Sequence, residues 1–264
     1  MINQEFLRAK YNPEGSELRN IQHQLMDLMM VLDGICRDNN IPYMLTGGNV
    51  LGAVRHGGFI PWDDDIDIAL LDKDYKKLVK VLRNYQSDKY VLQEHRSDPD
   101  YVHTFPKFRV KEGNLLGANP SRGVLYKYKG VGIDIFCMSP ISLLNARVST
   151  YIHVRLLTWT YRIKNTFLRH LITDVLLFVV KILFCFCDIL NIFHKPNEYH
   201  HAQAQGVIKT INYCDLLPYK RVVYDGEMLP VPQNTHNFLR VYFGPDYMEL
   251  PKNIAIHNKD LINK

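Results

Sequence analysis

From Ser16 onward, apolar side chains return every three or four positions: Leu18, Ile21, Leu25, Met29, Leu32 and Ile35. That spacing predicts one long helix with a buried face. Ser16 is its expected N-cap, and Asp38-Asn39-Asn40 followed by Pro42 ends it. The pattern then shortens. Tyr43 to Thr46 reads as a strand running into Gly47-Gly48, and Asn49 to His56 as a brief helix closed by Gly57-Gly58. After Pro61 a strand is expected over roughly Asp63 to Leu70. Asp72 then caps a second amphipathic helix carrying Tyr75, Leu78, Val79, Leu82 and Tyr85. Short strand-like runs follow at Tyr90–Leu92, Phe108–Val110 and Val131–Phe136. This order predicts an α+β fold on a small mixed sheet flanked by helices.

From Ile141 the chain turns to long helical runs. The expected division is a core over 1–140, a helical insertion over 141–215 and a C-terminal segment over 216–264 that packs back on the core. The tail carries turn signals at Tyr224-Asp225-Gly226, Pro230 and Pro232, then a short helix ending at Gly244-Pro245. Leu171 to Phe193 is the most apolar stretch, but its uninterrupted runs, Val175–Val180 and Ile182–Cys187, fall short of the roughly 20 residues a membrane span needs. Asp174, Lys181 and Asp188 recur at spacings of seven, so a buried structural helix with a narrow polar stripe is expected. Upstream, Arg155, Trp159, Tyr161, Arg162, Lys164 and Arg169 mix cations with interfacial aromatics. That mixture suits peripheral contact with anionic lipid.

Composition changes this picture little. The 264 residues are 47% hydrophobic and 22% charged, which excludes a disordered chain. The formal charge of +5 tolerates an anionic substrate or membrane surface. No basic stripe of groove-reading type is present, and nucleic acid is not an expected partner. The five cysteines form no CxxC pair and no zinc-spaced cluster with histidine. Their odd count and the polar opening from Met1 to Phe6 read as reduced thiols of a cytoplasmic protein.

The chemistry concentrates in Asp63-Asp64-Asp65-Ile66-Asp67. On a strand, Asp63, Asp65 and Asp67 share one face, while Asp64, Ile66 and Ile68 take the other. Same-face neighbours lie roughly 6.5–7 Å apart at Cα, so two carboxylates can converge on a hard cation at about 2.1 Å. Three like charges on one face repel unless a cation lies between them, which points to Mg²⁺ or Mn²⁺. Taken alone, the run would read as a solvated turn or helix cap. Its flanks, Phe59-Ile60-Pro61-Trp62 before and Ile68-Ala69-Leu70 after, are core-like, and aspartates embedded in an apolar strand favour function. Gly47-Gly48 lies between a strand and a short helix, where backbone can approach a phosphate and the helix N-terminus offers free N–H groups to it. Asp134, in Gly132-Ile133-Asp134-Ile135-Phe136, is a second acid in an apolar strand. It reads either as a further metal ligand or as an edge aspartate facing water.

The continuous stretch from Leu45 to Ile68, LTGGNVLGAVRHGGFIPWDDDIDI, resembles the signature of the LicD family. These are phosphocholine transferases of bacterial surface glycans, related to the fukutin-type sugar-phosphate transferases. Phe105-Pro106-Lys107, Gly132 to Phe136, Phe238-Leu239 and Tyr242 to Pro251 extend the resemblance over roughly residues 20–140 and 220–251. It implies a nucleotidyltransferase-like fold in which Gly47 and Gly48 contact phosphate, Asp65 and Asp67 bind a divalent metal, and Asp134 is the third carboxylate. It also implies a CDP-linked donor, CDP-choline first, with CMP leaving, and a surface glycan or its lipid-linked precursor as acceptor. Asn49 departs from the family, which commonly has threonine or serine there.

On that reading, Asp134 orients or deprotonates the acceptor hydroxyl, with Asp63 in reserve and as a supporting ligand. Arg55 and Lys107 are the candidate phosphate contacts, each with an exposed cation as its alternative. Trp62 reads first as core and second as a ring stacking on nucleotide or choline. Two other functions remain open. One is transfer of ribitol or glycerol phosphate from its CDP donor; the other is a non-catalytic peripheral membrane scaffold whose acids bind a structural cation.

Overall fold

Ser16 opens the long helix as expected, its hydroxyl accepting from the Arg19 N–H at 3.2 Å. The computed structural model describes residues 4–113, 125–152, 158–191, 197–201, 209–251 and 254. Within them α1 (Gln4–Tyr11) precedes α2 (Glu17–Asp38), β1 (Met44–Leu45), α3 (Gly47–His56), β2 (Ile66–Leu71) and α4 (Asp72–Asn84). Next come β3 (Tyr90–Gln93), β4 (Lys107–Val110), β5 (Gly132–Ser139), α5 (Leu143–Ile152), a 3₁₀ turn (Thr158–Arg162) and α6 (Thr166–Asn191). The chain continues through β6 (Glu198–His201), β7 (Ile211–Asn212), α7 (Tyr213–Leu216), β8 (Lys220–Tyr224), β9 (Glu227–Val231) and α8 (Thr235–Phe243).

The main sheet is mixed, in the order β1-β2-β5-β4-β3, with β6 on the far end of β5 and β7 beyond it. Among the described residues, only β2 and β5 run parallel. Alternation divides its central strands cleanly. Ile66, Ile68, Ile133, Ile135, Cys137 and Phe108 are fully buried on one face. The apolar stripes of α2 (Leu25, Met29, Leu32) and α4 (Leu78, Val79, Leu82) join the same core. Each such aliphatic side chain contributes about 1.5–3 kcal/mol on burial, so the opposite face of β2 and β5 is free to carry chemistry. The hairpin β8–β9, turning at Asp225-Gly226, packs on β1 and α3, and α8 packs on α3.

Two expectations need correction. The strand carrying the acids starts at Ile66, not Asp63. Its parallel partner β5 first pairs at Ile66↔Ile133, and β1 reaches only Ile68 and Ala69. No ladder therefore extends to residues 63–65. Second, α6 does not bury its apolar side. Arg169, Thr173 and Val180 face inward, while Leu171, Val175, Phe178, Ile182, Phe186 and Ile189 are each half exposed or more. Polar contacts hold the helix in this rotation: Arg169 pairs with Asp100 at 2.8 Å and Asp174 with His95 at 2.8 Å.

Candidate active site

Strand register builds the site's first row. Asp67 on β2 lies opposite Asp134 on β5, and Asp134 lies opposite Lys107 on β4. All three stand on the face turned away from the isoleucines, and the Lys107 ammonium ion-pairs with the Asp134 carboxylate. Burial pushes the Asp67 carboxyl well above the ordinary range. The charges of Asp65, Asp134 and Asp63 push it further, and Lys107 pulls the other way. This is the electrostatics of carboxylates crowded in a place with too little positive charge.

Upstream of the strand, side chains replace the missing ladder. Gln22 of α2 donates to the Asp63 carbonyl at 2.8 Å. The Asn49 amide nitrogen donates to the Asp65 carbonyl at 3.1 Å, and its oxygen accepts the Asp67 N–H at 2.6 Å. Asp63 N–H closes a turn on the Ile60 carbonyl at 2.9 Å. Held this way, Asp63, Asp64 and Asp65 each present a carboxylate oxygen within 4.8 Å of the others. Asp64, expected on the far face, joins its neighbours because strand alternation does not operate here. Three convergent carboxylates beside a fourth, Asp67, whose ionisation is disfavoured, offer the oxygen donors that hard divalent cations favour.

The paired glycines are the first turn of α3 rather than a preceding loop. Gly47 adopts φ +54°, a left-handed conformation suited to glycine. A Cβ on Gly48 would stand 3.2 Å from Asp63 Oδ2, and one on Gly47 3.9 Å from Asp67 Oδ2. The glycines thus keep clear the gap between the helix N-terminus and the acids. Thr46, the N-cap, makes no side-chain cap bond, so no capping side chain takes up the first-turn N–H groups that favour anions.

The other residues singled out from sequence fall elsewhere. Asn49 is buried and also donates to the Tyr224 hydroxyl at 3.2 Å, tying helix, acidic loop and hairpin together. Arg55 directs its guanidinium to the carbonyls of Tyr247 (3.0 Å) and Glu249 (2.9 Å) and to His56 Nε2 (2.9 Å). His56 is held down to about 4, by burial first and then by Arg55 and Arg8. Trp62 is buried, edge-on to Tyr11 and His56. Arg155 lies outside the described residues.

Sequence reasoning passed over the aromatic side chains beside the acids. Phe136 follows Asp134 on the same face of β5, with Phe105 at 4.8 Å and His201 at 5.6 Å between ring centroids. His201 hydrogen-bonds Tyr242 of α8, whose hydroxyl lies 3.5 Å from Thr46 Oγ1. Alternation could have flagged Phe136 and Phe105, each two residues from a named site residue. His201 and Tyr242 arrive through pairings that no local signal announces.

Residues 40–136 match the LicD/FKTN/FKRP nucleotidyltransferase domain. Over 251 residues, 89% of this chain and 92% of the relative, the sequence is 24% identical to the lipopolysaccharide cholinephosphotransferase LicD of Haemophilus influenzae. An uncharacterized Rickettsia prowazekii protein is 33% identical over 88 residues, 33% of this chain and 32% of its own. The ribitol 5-phosphate transferase FKRP of Homo sapiens is 44% identical over 41 residues, 16% of this chain and 8% of the relative.

Proposed function

We propose that this chain, similar to LicD-type phosphotransferases over residues 40–136 and, at 24% identity, over most of its length, transfers phosphocholine from CDP-choline to a hydroxyl of a cell-surface glycan or its lipid-linked precursor, releasing CMP. The observation that carries this reading is the facing of the α3 glycines and the acid row. A backbone that can approach a diphosphate stands against carboxylates suited to the divalent cation that accompanies one.

The donor's diphosphate lies along Gly47 and Gly48. Asp65, Asp67 and Asp134, with Asp63 beside them, would hold Mg²⁺ or Mn²⁺, which neutralises charge building on the phosphoryl oxygens. Asp134, fixed by Lys107, accepts the proton of the acceptor hydroxyl as its oxygen bonds to the choline-bearing phosphorus. The bond from that phosphorus to the CMP oxygen breaks in line, and CMP departs with the bonding pair. Positioning and charge neutralisation do most of this work. Offering CDP-choline, CDP-ribitol and CDP-glycerol in turn with Mg²⁺, and following CMP release, tests the reading. CDP-choline is expected to turn over fastest; preference for an alditol donor would replace phosphocholine with that alditol phosphate.

A lipid-linked acceptor calls for a membrane surface, and α6 supports one within the 141–215 segment. Among the described residues, no helix is long and apolar enough to cross a membrane. The outward stripe from Leu171 to Ile189 is nonetheless apolar over about five turns, with Trp159, Arg162 and Lys164 exposed near its start. The helix lies in the lipid interface, on the cytoplasmic leaflet. Flotation with anionic vesicles should carry the protein, and Phe178→Glu with Phe186→Glu should weaken it. Wild-type protein that stays at the bottom of the gradient contradicts the contact.

A further inference from the structure

Beyond the acid row, the same face of the sheet carries a row of rings. In register, Ala69 lies opposite Phe136 as Asp67 lies opposite Asp134. The rows are therefore one same-face step apart, roughly 6.5–7 Å along the strands. Phe105 precedes Lys107 by two residues and packs on Phe136, while His201, opposite Met138, meets the Phe136 ring edge-on at 88°. Tyr242 completes the group from α8, stacked on Phe238 and hydrogen-bonded to His201. Phe105, Phe136 and Tyr242 are only partly buried. Trp62, the aromatic that sequence suggested for this duty, is in the core.

We propose that Phe136, with Phe105, His201 and Tyr242 around it, forms the pocket that receives the trimethylammonium group of the donor and so selects choline over uncharged alditols. The inference rests on the functional reading above. Three features support it. Ring faces attract a quaternary ammonium, which has no N–H to donate. The acid row beside the rings outnumbers the Lys107 ammonium paired with it, and adds a negative potential that favours a cation over a neutral cytosine. Finally, the offset between the rows suits a phosphate and an ammonium joined by a two-carbon linker. The contrast with a polyol is chemical: an alditol brings neutral hydroxyls, which a ring face attracts less than a quaternary ammonium.

The test uses the full chain with Phe136→Leu, which keeps apolar volume but removes the π face, and Phe136→Tyr, which restores it. Phe136→Leu should raise KM for CDP-choline about tenfold, in the range of a desolvated cation–π contact. It should change inhibition by CMP less than about twofold, and Phe136→Tyr should recover most of the loss. Discrimination between CDP-choline and CDP-glycerol should narrow by the same factor. If CMP inhibition weakens in parallel, the rings hold the base and the proposal is wrong. Unchanged discrimination in Phe136→Leu overturns it alone. A wild-type enzyme that ignores CDP-choline while using an alditol donor overturns it together with the functional reading.

Discussion

Asp67→Asn is expected to abolish CMP release while leaving a folded protein that, in metal-free buffer, melts no lower than wild type. The two halves of this expectation have one cause. Asp67 is a carboxyl whose charge the fold tolerates poorly: burial, Asp65, Asp134 and Asp63 all oppose its ionisation. Replacing it with an amide of the same shape removes that opposition and keeps the volume. On the proposed function the same substitution also removes a ligand from the cation site, and losing one electrostatic stabiliser lowers turnover by about 10²–10³ or more. Mg²⁺ should separate the proteins further. A ligand at a hundredfold excess over its dissociation constant stabilises by about 2.7 kcal/mol, so added Mg²⁺ should raise the melting temperature of wild type and not of Asp67→Asn. Asp65→Ala should share the loss of activity. Near-normal turnover in either variant would remove these residues from the chemistry.

The second large effect is expected at Asn49, which acts through other residues. Its amide links α3 to the Asp65 carbonyl, the Asp67 N–H and the Tyr224 hydroxyl. Asn49→Ala removes three hydrogen bonds, two to partly buried backbone groups and one to the buried Tyr224 hydroxyl, at about 1–3 kcal/mol each. A destabilisation of about 3 kcal/mol follows, on the order of 10 °C in melting temperature for a chain of this size. Turnover should fall as well, because Asp65 and Asp67 lose the bond that sets their spacing. Asn49→Asp separates the two roles. It keeps an acceptor for Asp67 N–H but loses the donor and adds a carboxylate to an acidic cluster, so added Mg²⁺ should rescue its stability more than that of Asn49→Ala. A threonine or serine offers one hydroxyl where asparagine offers a separate donor and acceptor. Thermal melts with and without Mg²⁺ distinguish these outcomes, and an Asn49→Ala protein as stable as wild type would contradict the linking role.

What was legible in the sequence was whatever depends on local pattern. The α2 and α4 stripes, the N-cap at Ser16 and the strand pair bearing Asp67 and Asp134 follow from apolar periodicity. The acids stood out because aspartates are rare between isoleucines in a core strand. Register was hidden. Lys107 was expected on phosphate, and it pairs with Asp134 because β4 aligns those residues across 27 positions of chain. The strand start was misplaced because it depends on where β5 and β1 stop pairing, and side chains of Gln22 and Asn49 satisfy the backbone beyond that point. The rotation of α6 was also hidden: spacing identified its apolar side, while the pairs Arg169–Asp100 and His95–Asp174 decided which side turns inward.

On the proposed function, the acids of β2, β5 and the loop before β2 hold the cation needed for phosphocholine transfer. The most direct test strips the protein with a chelator, supplies CDP-choline and a surface-glycan acceptor, and follows CMP before and after Mg²⁺ is restored. The stripped protein should release no CMP, added Mg²⁺ should start release, and phosphocholine should appear on the acceptor. Equal release in the presence of excess chelator would contradict the need for the cation.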